Sequence, residues 1–238
     1  MEETTRIDER NAREIAQMNT CVLERLRADD TVQVLIDEDL QLFGVAEFFS
    51  PDECEKLIAM IDAVARPSPV FNIDAGRAAR TSYSGDLDAY DPFVKMLHRR
   101  MDDLMGIEED FGETMQGQRY QVGQQFKPHH DWFDTTQEYW TPLVARAGQR
   151  AWTVMVYLND VEGGGATEFP EMEVAIPPQQ GTLIAWNNAN PDGTPNMATL
   201  HAGTPVTEGV KYIVTRWYRG RKWFYPPKPG EVDEGTSN

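Results

Sequence analysis

Cysteine is scarce in this sequence. Cys21 and Cys54 are the only two in 238 residues, and neither forms a CxxC pair, so a disulfide framework and a thiolate zinc site are both excluded. Long apolar runs are missing as well. No stretch approaches the ~20 residues that a membrane-spanning helix needs, and the acidic start Met1-Glu2-Glu3 lacks the apolar segment of a secretory leader. These features predict a reducing cytoplasm as the compartment and no membrane partner. Positive charge is in deficit: 22 Lys and Arg stand against 39 Asp and Glu, a formal net charge of −17. Such a surface repels phosphate backbones, which sets nucleic acid aside as a partner. Gly163-Gly164-Gly165 is followed by no Gly-Lys-Ser/Thr, so it reads as a turn between strands and not as a phosphate loop.

Hydrophobic residues make up 40% of the chain, including six Trp, eight Tyr and ten Phe, enough for the core of one sizeable domain. Ile15, Met18, Val22 and Leu26 recur at spacings of three and four and predict an N-terminal helix within an extension, residues 1–31. Val32 to Phe49 reads as strand. Ser50-Pro51-Asp52-Glu53 has the signature of a capping box and opens a helix running to about Val64. Residues 66–92 read as loop and short strand. A further helix is expected from Phe93 to Leu104, with Phe93, Met96, Leu97, Met101 and Leu104 on one face.

From about Thr114 short β-rich runs take over: Met115 to Phe126, Ala151 to Leu158, Met172 to Ile176, Gly181 to Trp186 and Lys211 to Tyr218. Helices first and many short strands later predict an α+β, mainly β domain over 32–222, its core at about 114–220. A Pro- and Gly-rich flexible tail is expected over 223–238.

Histidine is also rare, with four residues, and two of them lie in informative company. His129-His130-Asp131 follows a strand-like run. In extended chain i and i+2 share a face, so His129 and Asp131 point together while His130 points away. With the distant His201 they supply two imidazoles and one carboxylate, the facial set that holds non-haem Fe(II) with other positions open. Lys211 opens an alternating strand whose Lys211, Ile213, Thr215 and Trp217 share a face. A lysine facing inward among apolar neighbours needs an anion, and none is near in sequence; a bound dicarboxylate would serve.

Around these residues the sequence resembles the prolyl 4-hydroxylase family of Fe(II)- and 2-oxoglutarate-dependent dioxygenases. The resemblance lies in five segments: Tyr120 to Asp131; Gln149 to Asp160; Gly163-Gly164-Gly165-Ala166-Thr167-Glu168-Phe169-Pro170; Leu200 to Val206 with Lys211 to Trp217; and Arg80-Thr81-Ser82. It covers roughly residues 32–222. It implies a double-stranded β-helix, or jelly roll, with supporting N-terminal helices. It implies Fe(II) on His129, Asp131 and His201, and 2-oxoglutarate held by Lys211 with Tyr120, Tyr157 and Thr167. O2 is implied as second cosubstrate and ascorbate as a stimulant. Arg80, Thr81, Ser82 and Trp217 would contact a Pro-containing peptide or protein, the first three from a loop that closes over the iron. Phe126 departs from the pattern, standing where many members have Tyr.

The leading reading is hydroxylation of an unactivated C–H bond of proline in a protein or peptide, with release of succinate and CO2. A free amino acid or small metabolite as substrate is a second reading. A catalytically silent jelly-roll binding domain is a third, against which the intact His129, Asp131, His201 and Lys211 set stands.

Overall fold

The computed structural model describes residues 2–68, 80–135 and 147–223. The expected tail from Phe224 onward, and the middle of the 66–92 stretch, lie outside them. Helix α1, Glu2–Ala28, carries the predicted stripe. Ile15, Val22 and Leu26 are at most 1% exposed and join the main hydrophobic cluster, with Met18 packed against it. Polar bonds fix the helix further. Asn19 Oδ1 accepts from the Trp152 indole N–H at 2.9 Å, and Asn11 Oδ1 accepts from the Gln149 amide at 3.2 Å. Leu26→Ala would leave a cavity under α1, at a cost of about 2–5 kcal/mol. A thermal melt should report the loss. An unchanged midpoint would show that α1 adds nothing to the domain's stability.

Helix α2, Pro51–Val64, begins with the predicted capping box: the Ser50 hydroxyl accepts from the Glu53 amide while the Glu53 carboxylate accepts from the Ser50 amide. Helix α3, Pro92–Met105, starts at an Asp91 cap and ends at Gly106, whose φ of 67° is the left-handed conformation a helix C-terminus favours. Leu97, Met101 and Leu104 of the expected face are buried, joined by Val94, His98 and Met105, and Phe93 packs against the same cluster, whereas Met96 is 49% exposed.

Three antiparallel sheets follow. The first eight strands are β1 Gln33–Ile36, β2 Leu42–Val45, β3 Arg66–Pro67, β4 Tyr83–Asp86, β5 Gln116–Tyr120, β6 Phe126–His129, β7 Arg150–Tyr157 and β8 Gly163–Gly164. Then come β9 Thr167–Phe169, β10 Val174–Ile176, β11 Leu183–Asn187, β12 His201–Gly203, β13 Val206–Glu208 and β14 Lys211–Arg219. The large sheet has the order β1-β2-β11-β7-β14-β5-β4-β3, the small one β10-β9-β12-β6, and β13 pairs with β8. Two facing sheets of this kind, with helices against the outer face of the larger, make the expected jelly roll.

Alternation along the central strands builds two cores. Trp152, Val154 and Val156 of β7 and Val214 and Tyr218 of β14 face the helices. Met155, Tyr157 and Ile213 face the small sheet.

One expectation needs correction. Val32 to Phe49 is not one strand: Asp39 and Gln41 take positive φ and fold it into the β1–β2 hairpin. The stretch 66–92, read as loop and short strand, holds short strands in its described parts, β3 and β4. Its residues Tyr83–Asp86 pair with β5 inside the large sheet. The run Tyr-Ser-Gly-Asp has weak strand propensity, so the pairing partner and not the local sequence makes it a strand.

Candidate active site

His129 ends β6 and His201 begins β12, and these strands pair so that the two residues lie directly opposite each other. Asp131 follows two residues after His129. One ligand atom from each residue lies within 4.8 Å of the others. The Nε2 atoms of His129 and His201 stand 3.9 and 3.7 Å from the Asp131 carboxylate oxygens. Each Nδ1 sits 2.9 Å from a carbonyl two residues earlier, Lys127 for His129 and Thr199 for His201. An Nδ1–H donated there leaves the Nε2 lone pair facing inward, the tautomer that metal ligation requires. His130 points elsewhere, toward the Met197 carbonyl at 3.2 Å.

Aromatic rings close around the imidazoles. Phe126 stacks on His129 at 3.5 Å between centroids, and Trp186 meets His201 edge-on at 4.9 Å. Burial, then the neighbouring His201, lowers the His129 pKa to about 3. Burial alone would raise the Asp131 carboxyl. The two imidazoles, Arg150 and a hydrogen bond from Thr153 outweigh it and hold Asp131 ionised. Neutral imidazole nitrogens and a carboxylate are the donors that suit Fe(II).

Behind the ligands lies a cavity walled by Lys211, Ile213, Thr215 and Trp217 of β14, with Tyr120, Thr167 and Trp186 around it. The Lys211 side chain is buried and no carboxylate among the described residues pairs with it. Burial alone pushes its pKa down to about 7. Its Nζ lies 5.5 Å from the rings of Tyr120 and Tyr157. The indole N–H groups of Trp186 and Trp217 are buried without acceptors. A cavity that offers an ammonium with no carboxylate partner among the described residues fits an anion.

Among the hydroxyls, Tyr120 donates to Gln118 Oε1 at 2.7 Å. Tyr157 Oη lies 2.8 Å from Thr167 Oγ1 and 3.2 Å from the Ile176 carbonyl oxygen. Burial raises the Tyr157 phenol well above its usual range, so it stays a donor.

The segment Arg80-Thr81-Ser82 divides. Arg80 bridges to Phe126, its guanidinium 4.9 Å from that ring, so Arg80, Phe126 and His129 form one stack. Thr81 exchanges hydrogen bonds with Gln125. Ser82 is turned inward, its hydroxyl 3.0 Å from Ser68 Oγ and accepting from Arg80 Nε at 2.8 Å. Ser82 is therefore a support for Arg80 and offers no surface to a substrate. Trp217 is 8% exposed, and the Arg150 guanidinium lies 3.8 Å over its ring. Glu113 holds Arg150 at 2.6 and 2.8 Å and Arg219 at 2.5 Å.

Sequence reasoning missed this Arg150–Glu113–Arg219 cluster. It also missed the contact of Asn188 with Thr153 and the ring of Trp186 at His201. By strand parity Thr153 shares a face with Met155 and Tyr157; nothing in the chain signals that Glu113 or Asn188 would join it.

A jelly roll with two histidines, an aspartate and an uncompensated lysine on its inner face defines a 2OG-Fe(II) oxygenase. The profile described as the 2OG-Fe(II) oxygenase superfamily matches residues 115–219. A probable prolyl 4-hydroxylase 3 from Arabidopsis thaliana is 31% identical over 215 residues, covering 80% of this chain and 73% of the relative. Prolyl 4-hydroxylase subunit alpha-2 from Gallus gallus is 32% identical over 69% of this chain, which spans only 30% of that longer relative. Among solved structures, the 2OG complex of a viral collagen prolyl hydroxylase from Paramecium Bursaria Chlorella virus-1 is 28% identical with a TM-score of 0.57. That match covers 75% of this chain and 94% of the viral one. This chain belongs to the prolyl 4-hydroxylase family.

Proposed function

We propose that this protein hydroxylates proline within a protein or peptide, using Fe(II), 2-oxoglutarate and O2 and releasing succinate and CO2. The observation that carries the proposal is the pairing of two features on one inner face: the His129, Asp131 and His201 ligand atoms within 4.8 Å, and a buried Lys211 with no carboxylate partner among the described residues. In this reading the three ligands hold iron, and the metal with its cosubstrate supplies the oxidising chemistry when bound. Lys211 and the Thr167 hydroxyl bind the distal carboxylate. Tyr157 orients Thr167. Trp186 and Phe126 exclude water from the ligand nitrogens.

A peptide is favoured over a free amino acid by the rim of the site. Arg80 reaches it through Phe126, and Trp217 lines it beside Arg150, so an extended chain would meet a cation and an aromatic wall. A Pro-rich segment, already extended in polyproline II form, costs little to order there. Relatives in this family bear prolyl hydroxylase names, which points the same way.

The test is a mass-spectrometric turnover screen of Pro-containing peptides and free amino acids, with and without ascorbate. Peptide products with a 16-dalton gain at proline are expected. Turnover of free proline or another metabolite alone would defeat the peptide reading. Within the same assay, Arg80→Ala and Trp217→Ala should lower peptide hydroxylation by at least about tenfold while sparing substrate-free decarboxylation of 2-oxoglutarate. Equal loss of both activities would make these residues supports of the fold or cosubstrate.

A further inference from the structure

We propose that Asn188 and Thr153 form a positioning relay that fixes how Asp131 presents its oxygens to the metal. The inference rests on the reading of Asp131 as a ligand. Thr153 sits in the middle of β7, paired with Trp186 of β11 on one side and Trp217 of β14 on the other. Both indoles wall the cavity. The Thr153 hydroxyl donates to Asp131 Oδ2 at 2.7 Å and accepts from Asn188 Nδ2 at 2.8 Å. Thr153 and Asn188 are both fully buried. Asn188 follows β11 and is itself held at both backbone atoms. Its N–H donates to the Ala151 carbonyl at 2.8 Å, and its carbonyl accepts from the Asn196 amide at 3.0 Å.

Chemistry sets the direction of this chain. An ionised carboxylate only accepts, so Thr153 must donate to Asp131. A hydroxyl has one proton, so its remaining contact must be to a donor, and the Asn188 amide nitrogen is that donor. The cost is visible on the other side: Asn188 Oδ1 is buried with no partner. Turning the amide over would bring Oδ1 against Thr153, draw the hydroxyl proton away from Asp131, and set lone pair against carboxylate. Oδ2 is engaged by Thr153, while Oδ1 accepts no hydrogen bond among the described residues and stands 4.0 Å from Arg150 Nη1. The relay would thus favour ligation through Oδ1 alone.

The test uses the purified full chain under anaerobic conditions and Co(II) as a spectroscopic probe of the site. Thr153→Val keeps the shape and removes the hydroxyl. It should weaken Co(II) binding about 10–100-fold, the range for loss of a ligand's hydrogen-bond partner. It should also change the intensity of the visible Co(II) bands, as the carboxylate goes from one to two bound oxygens and raises the coordination number. Thr153→Ser should restore both to within about threefold. Asn188→Leu, which keeps a similar volume and cannot donate to Thr153, should shift both readouts in the same direction with Thr153 in place, and it carries the test if Thr153→Val does not fold.

Affinity and spectrum like wild type in Thr153→Val and Asn188→Leu, alongside loss of binding in Asp131→Ala, would overturn the relay and spare the metal site. Unaltered Co(II) binding in Asp131→Ala would overturn the ligand assignment and the relay with it.

Discussion

Alanine at His129, Asp131 or His201 is expected to weaken Fe(II) binding by at least about 100-fold, or about 2.7 kcal/mol, and to abolish turnover. Each removes one of three protein donors from a set whose ligand atoms lie within 4.8 Å. Neither neighbouring histidine can substitute. His130 points to the Met197 carbonyl from the opposite side of the chain, and His98 is buried among the residues of α3. His130→Ala should therefore stay within about threefold of wild type. Equilibrium binding of Mn(II) or Co(II) reads the same ligands without turnover, because such sites do not select iron by affinity. Unchanged metal affinity in His129→Ala and His201→Ala would remove the triad.

The same residues predict the acid response of the metal-free protein. His129 has a folded pKa of about 3, below the ordinary 6.5. Between those values the unfolded chain binds the proton that the folded one excludes. Its contribution is present above pH 6.5 and is lost as pH falls toward about 3. Asp131, also lowered, loses its contribution in the same direction. Chemical denaturation across this range should show falling stability, and the slope should lessen in His129→Ala.

Lys211→Ala is expected to raise the 2-oxoglutarate requirement by at least about tenfold, as fits roughly 1.5–3 kcal/mol for a hydrogen bond to a charged group. Fe(II) affinity should be untouched, since Lys211 lies on the cosubstrate side of the cavity. Lys211→Arg should not rescue it. The planar guanidinium is longer and differently shaped, so it does not place its donors where the ammonium stood.

A pH signature accompanies this. Burial brings the Lys211 pKa down from 10.5 to about 7 in the free protein. A carboxylate beside it favours the ammonium, so binding takes up a proton at alkaline pH. Affinity should then fall as pH rises above 7, by up to about tenfold per unit. Calorimetry of 2-oxoglutarate binding in two buffers of different ionisation enthalpy measures the uptake directly. No proton uptake at pH 8 together with a normal requirement in Lys211→Ala would place the cosubstrate elsewhere.

Local sequence was informative wherever a single element carries its own signal. The capping box at Ser50 and Glu53 gave α2 its start, because the partners lie three residues apart. Strand parity put Lys211, Ile213, Thr215 and Trp217 on one wall, because alternation is a property of one strand. The same reasoning separated His129 and Asp131 from His130. It failed where neighbours decide. Met96 shares a helical spacing with buried residues yet faces solvent, since only the packing of α3 sets its rotation. The short strand expected within 66–92 had no position until Tyr83–Asp86 paired with β5. Ser82, expected at the substrate, turned inward to Ser68 and Arg80.

The chain by itself therefore determined the chemistry on offer: which imidazoles and carboxylate could share a metal, and that an inward lysine would want an anion. These are consequences of residue type and of a two-residue period. The tertiary structure alone decided what surrounds that chemistry. Pairing of β6 with β12 sets His129 against His201. The contact between β7 and the loop after β11 brings Asn188 to Thr153 and so to Asp131. Glu113 meets Arg150 and Arg219 across three separate segments. Such contacts join residues far apart in the chain. No local period encodes them, and they form only when the two sheets and the helices close on a common core.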